Sequence, residues 1–149
     1  MRAVVQVVRD ASVEAGGRVS GRIDRGLLVY LGVARGDTVS DAGYLAEKIA
    51  ALRVFDDGEN RMNLSVQDIK GGVLVVSQFT LLADARKGRR PSYSNAADPS
   101  EAEPLYRYFM ERVRACGLSC ESGVFRARML VRYVNDGPVT VLLDSKKQF

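Results

Sequence analysis

Two short stretches hold the groups that could do chemistry. Ser77-Gln78-Phe79-Thr80-Leu81 brings hydroxyl and amide groups to the end of the apolar run Val73-Leu74-Val75-Val76, where sites on rigid scaffolds often sit. Thr80 is the obvious hydroxyl nucleophile, although no base stands next to it in the chain. Asn135-Asp136-Gly137-Pro138-Val139-Thr140 lies between two β-branched runs. There Gly137 can adopt backbone angles closed to other residues. Pro138 fixes φ and lacks an N–H, and Gly137–Pro138 is the foremost candidate for a cis peptide bond. Taken alone, this corner reads as an ordinary hairpin turn. The chain contains no histidine, which removes His-based triads, His metal sites and the commonest general base together.

A third stretch bears charge. Arg86, Lys87, Arg89 and Arg90 place four cations in five positions around Gly88, which suits a phosphate-contacting loop. A solvated surface loop would look the same. The net charge of +4 and pI near 9.3 favour an anionic partner without identifying one. Cys116 and Cys120 do not have C-x-x-C spacing and read as packing residues.

These stretches need elements to position them. A chain of 149 residues, 46% hydrophobic and 27% charged, is expected to form one domain spanning 1–149. No apolar run reaches the ~18 residues of a membrane span. The first ten residues are too soon interrupted by charge for a signal peptide, so a cytoplasmic protein is expected. Ala3 to Val8, Ser12 to Glu14, Arg18 to Ser20 and Leu27 to Val33 read as strands of a small antiparallel sheet, with a turn at Ala15-Gly16-Gly17. Leu27 to Val33 is apolar on both faces, so each face requires a cover. Thr38 with Asp41 marks a helix start, followed by the stripe Ala42, Leu45, Ala46, Ile49 and Leu52. Asn63, between Met62 and Leu64, is expected to brace a loop. Val73 to Leu81 reads as one strand. A second helix opens at Asp98-Pro99, with Pro104 predicting either a bent first turn or a later start. Its apolar stripe is Leu105, Phe109, Val113 and Cys116. From Gly123 the alternation predicts a strand with Phe125, Ala127, Met129, Val131 and Tyr133 on one face and Arg126, Arg128 and Arg132 on the other. Asp144 to Phe149 reads as a frayed tail.

The polar strand end and the Gly-Pro corner, taken together with their order and separation, resemble the D-aminoacyl-tRNA deacylase family. The resemblance covers essentially the whole chain and includes Arg9-Asp10-Ala11-Ser12-Val13, Gly26 to Val33, Met62-Asn63-Leu64 and Arg89-Arg90-Pro91-Ser92-Tyr93. It implies a hydrolase that cleaves the ester joining a D-amino acid, or glycine mischarged on tRNA-Ala, to the terminal ribose of tRNA. It also implies an α/β fold with an antiparallel, barrel-like β core, two main helices packed on it, and a homodimer with active sites at the interface. The Gly137–Pro138 bond is then cis and reaches into the partner's site. Its carbonyls face the substrate's α-amino group and its backbone leaves no room for an L side chain.

The roles follow from that resemblance. Backbone N–H groups of Phe79 and Thr80 stabilise the oxyanion, and Gly137 and Pro138 select chirality. Ser77, Gln78, Met129 and Asn135 bind the aminoacylated 3′ end, and Arg86, Lys87, Arg89 and Arg90 meet tRNA phosphates. No metal, cofactor or membrane is expected. Attack by water assisted by the vicinal ribose hydroxyl stands beside attack by the Thr80 hydroxyl. Two rival readings compete with this one: a non-catalytic tRNA-binding protein using the same basic loop together with the face of Arg126, Arg128 and Arg132, and a threonine-dependent hydrolase of small esters or amides.

Overall fold

The computed structural model describes residues 1–149. Its organising strand is β1 (Arg2–Ala15), apolar on alternate positions and long enough to serve several partners. Gly16 and Gly17, both at positive φ, turn it into β2 (Arg18–Ile23), which pairs antiparallel with Ala11–Ala15. β3 (Gly26–Gly32) then pairs antiparallel with the first half of β1. After the first helix, a short hairpin of β4 (Phe55–Asp56) and β5 (Met62–Leu64) leads to β6 (Gly72–Ser77), which joins β3 in parallel. β7 (Cys120–Ser122) adds in parallel to β6, and β8 (Met129–Asp144) runs antiparallel along the whole other side of β1.

The core is barrel-like, as expected, and mixed: the β3–β6 and β6–β7 pairings are parallel, which the antiparallel expectation missed. The sheet curls until β2 meets β7. A Cβ on Gly21 would lie 2.7 Å from the Ser122 carbonyl oxygen, so only glycine permits this approach. The curl explains how β3 is covered on both faces. Leu27, Val29 and Leu31 face the main core, while Leu28 joins Val8, Ala11, Val13, Ile23, Leu74 and Val76 inside the curl.

Helix α1 (Val39–Ala50) starts where expected, with the Thr38 N–H donating to Asp41 Oδ2 at 2.9 Å. Its stripe Ala42, Leu45, Ala46 and Ile49 is fully buried, and each Leu or Ile so buried contributes ~2 kcal/mol. Asn63 Nδ2 donates to Asp57 Oδ2 at 3.1 Å, bracing the β4–β5 loop. Helix α2 (Pro99–Ala115) starts on Pro99 and runs through Pro104. Pro104 lies on the exposed side, where the carbonyl it leaves unpaired can meet water. The buried stripe of α2 is Ala102, Tyr106, Phe109, Met110 and Val113, rotated from the expected one.

Three further expectations are corrected. β6 ends at Ser77, and Phe79–Leu82 forms a 3₁₀ turn instead of continuing the strand. Residues 123–128 are not strand: the Ala127 N–H donates to the Val124 carbonyl at 3.2 Å, closing a turn, and β8 starts at Met129. The C-terminal segment is docked, with buried Asp144 meeting Arg2 Nε at 3.1 Å and Lys146 Nζ reaching Asp41 Oδ1 at 2.8 Å. Burial opposes ionisation of Asp41. The hydrogen bonds from Lys146, Ser145 and Thr38 outweigh it and hold the carboxyl well below its usual range.

Candidate active site

A cavity of about 580 Å³ opens at the C-terminal end of β6. Its walls come from the ends of β3 and β6, the start of α2 and the 124–127 turn, with Val76, Tyr106, Phe125 and Met129 among its apolar lining. Tyr106 is anchored by donating its hydroxyl to the Val75 carbonyl at 2.9 Å. Burial, and secondarily Cys120, pushes that hydroxyl above its usual range, so it remains a donor and not a base. Ser77, Gln78 and Phe79 lie on the lining. The Gln78 N–H is spent on the Leu31 carbonyl at 2.8 Å, which fixes the strand end. Phe79 and Thr80 are the first residues of the 3₁₀ turn, and the leading N–H groups of such a turn have no carbonyl partner within it.

Thr80 behaves differently from its neighbours. It is not part of the cavity lining, and its Oγ accepts a hydrogen bond from Gln78 Nε2. That bond occupies one of the hydroxyl's two lone pairs, and the hydroxyl donates to no side chain that could serve as its base.

The 135–140 corner is not the hairpin turn that its composition suggests. Both flanks pair with β1, with Val8 opposite Asn135 and Gln6 opposite Thr140, so residues 136–139 face Val7 alone and bulge outward. The bulge is laced at its foot. Asn135 Nδ2 donates to the Val7 carbonyl at 2.9 Å and to the Val139 carbonyl at 3.0 Å. Gln6 Nε2 donates to Asn135 Oδ1 at 3.3 Å and to Thr140 Oγ1 at 3.2 Å. Arg9 meets Asp136 at 3.2 Å. The Gly137–Pro138 bond is cis, as the sequence suggested, and Gly137 has φ +115°. A Cβ there would lie 2.6 Å from Val139 Cγ2 and 2.7 Å from the Val139 nitrogen, so Gly137 cannot be replaced without strain.

The expected site residues therefore fall into separate groups. Ser77, Gln78, Phe79 and Met129 line the cavity, whereas Asn135, Gly137 and Pro138 do not. Asn135 spends its amide on the bulge. Arg86 is committed to Asp84, donating from Nε at 2.9 Å and from a terminal nitrogen at 2.6 Å. These bonds hold Asp84 well below the usual carboxylate range. Lys87, Arg89 and Arg90 are exposed and form no ion pair. Sequence reasoning missed Tyr106 and Phe125 as cavity walls and Gln6 as a brace. Gln6 had left a signal, as the lone polar residue in the run Ala3–Val8.

Comparison with known proteins gives a consistent set of matches. The family model described as D-Tyr-tRNA(Tyr) deacylase matches residues 4–144. A D-aminoacyl-tRNA deacylase of Koribacter versatilis is 62% identical over 149 residues, covering 100% of both chains. One of Alkaliphilus metalliredigens is 56% identical over 149 residues with the same coverage. Among solved structures, a c-Myc DNA unwinding element binding protein superposes with TM-score 0.90 at 40% identity, covering 97% of this chain and 98% of that one.

Proposed function

The chain belongs to the D-Tyr-tRNA(Tyr) deacylase family, and from that premise we propose that its cavity and its β8 bulge are two halves of one active site, completed between two copies of the chain. The protein hydrolyses D-aminoacyl-tRNA, releasing the amino acid from tRNA. The observation that carries the proposal is the position of the bulge. Gly137 and Pro138 are exposed, contribute nothing to the cavity of their own chain, and stand on a strand whose outer edge pairs with nothing. Leu130, Val134 and Leu142, each at least half exposed, extend along that strand. A homodimer that buries these residues and inserts each bulge into the partner's cavity answers both features.

Chirality is then read by backbone. A locked main chain near Cα rejects an L side chain sterically, because the clash cannot relax. A D side chain points outward and glycine has none, so glycyl-tRNA is accepted. Catalysis uses what the cavity rim offers. Water adds to the ester carbonyl carbon, and the Phe79 and Thr80 N–H groups stabilise the oxyanion. The acyl–oxygen bond to ribose breaks, with the vicinal ribose hydroxyl assisting proton transfer to the departing oxygen. The lack of a base bonded to the Thr80 hydroxyl, and its position outside the cavity lining, support water over Thr80 as the nucleophile. Ser77, Gln78 and Met129 hold the terminal nucleoside, and Lys87, Arg89 and Arg90, with Arg86 braced by Asp84, approach the acceptor phosphates. Such a substrate puts the protein in the cytoplasm. No helix of the chain is long and apolar enough to cross a membrane.

Matched D- and L-aminoacyl-tRNA, followed by release of the amino acid, test the reading. D-ester loss with the L-ester intact is expected. Equal hydrolysis of both would defeat the backbone gate, and binding without hydrolysis of either would favour the RNA-binding alternative.

A further inference from the structure

The rim of the cavity carries features that a terminal nucleoside and its amino acid leave unused. Tyr93 lines the cavity yet is 41% exposed, and its ring meets that of Phe79 edge-on at 5.1 Å and 68°. Behind Tyr93, the chain turns back through the Ala96 N–H bond to the Tyr93 carbonyl at 3.0 Å. Arg35 is fastened to that turn twice. Its N–H donates to the Asn95 carbonyl at 3.0 Å and its Nε to the Ala96 carbonyl at 3.3 Å. Arg35 lines the same cavity as Tyr93, and its terminal nitrogens are free of any carboxylate.

Arg126, on the 124–127 turn, lines the same cavity. It is exposed, has no ion pair, and has φ +64°, a left-handed conformation that glycine adopts more easily than any residue with a Cβ. A turn that keeps an arginine where glycine would be easier is holding a cation at the rim at the expense of stability. The one carboxylate on the lining, Asp98, sits at the N-cap of α2 and pairs with neither arginine.

A part-exposed ring and two unpaired guanidinium groups on one cavity are the equipment of single-stranded nucleic-acid binding, in which a base stacks and a phosphate is held by fork-shaped donors. A nucleoside seated in the cavity also brings one anion with it, the phosphodiester on its 5′ side, and that group must leave through the rim. We propose that Tyr93, Arg35 and Arg126 form a subsite for the nucleotide immediately 5′ to the aminoacylated one: its base lies against Tyr93 and its phosphodiester lies between the two arginines. The subsite rests on the reading of the cavity as the seat of the aminoacylated nucleoside.

The test compares three D-esters of one amino acid: the terminal nucleoside alone, the dinucleotide that adds one 5′ residue and its phosphodiester, and the full tRNA. In the wild-type protein the dinucleotide is expected to exceed the nucleoside about tenfold in kcat/KM, chiefly through KM. Arg35→Ala, Arg126→Gly and Tyr93→Ala are each expected to remove most of that ratio. Arg126→Gly should do so while raising the thermal midpoint, since glycine accommodates φ +64°. A loss of binding through misfolding would lower both. Equal kcat/KM for nucleoside and dinucleotide, or a tenfold ratio that survives Arg35→Ala/Arg126→Gly, would overturn the subsite while leaving the cavity reading intact. If all three D-esters remain unhydrolysed, the cavity reading itself fails and the subsite falls with it.

Discussion

At the end of β6 the polar groups are answered inside the chain. The Gln78 N–H bonds Leu31, the Gln78 amide bonds Thr80, and the surrounding surface is concave. At the apex of the β8 bulge nothing answers: the foot is laced by Asn135 and Gln6, while Gly137 and Pro138 project with no contact to the cavity. The concave region can be complete in one chain, whereas the convex one acquires a purpose only against a second surface. The difference separates two tasks. In the proposed function the β6 end would supply rate through oriented donors, and the bulge would supply selection through a backbone that cannot yield.

Four substitutions should sharpen that division. Gly137→Ala is expected to have the largest effect, because φ +115° and the contact with Val139 leave no space for a Cβ. D-substrate kcat/KM should fall about 100-fold and stability by ~1–3 kcal/mol, measured by deacylation and urea unfolding. An unaltered rate would remove the bulge from the site. Asn135→Ala should come next, since it leaves the Val7 and Val139 carbonyls without their donor, at ~1–3 kcal/mol. Its diagnostic readout is the D/L ratio, which should drop about tenfold as the gate loosens. Gln78→Ala should lower the D rate without changing that ratio, and the opposite pattern would reverse the two assignments. Thr80→Ala should have the smallest effect, with D-ester turnover staying within about tenfold of wild type. Collapse of turnover with tRNA binding preserved would make Thr80 the nucleophile.

Local signals were legible wherever the interaction is local. The Thr38–Asp41 capping box, the α1 stripe and the Gly16-Gly17 turn all lie within a few residues of their partners. The misread elements depend on distant partners. Asn135 to Thr140 has the composition of a hairpin turn, and only pairing with Gln6 and Val8 makes it a bulge. Phe125 to Ala127 alternates like a strand, but the Ala127–Val124 hydrogen bond closes a turn there, and Phe125 packs on Tyr106 at 5.6 Å. The tail looked frayed because Arg2 and Asp41, which hold it, are more than a hundred residues away. Within the site, the hydroxyl and amide groups at the end of the apolar run drew attention to Ser77-Gln78-Phe79, which lines the cavity. Residue types could not show that Asn135 faces its own backbone, because an amide suits both uses equally.

The central claim is that each site takes its cavity from one copy and its bulge from the other, and subunit mixing tests it most directly. One variant carries Gly137→Ala, and a second carries Ala127→Trp, which fills the cavity from its lining turn. Each alone should be nearly inactive on D-aminoacyl-tRNA. Coexpressed in equal amounts, half of the dimers are mixed and each holds one intact site of two, so activity should return to about a quarter of wild type. Activity no greater than that of the separate variants would contradict a site shared between subunits.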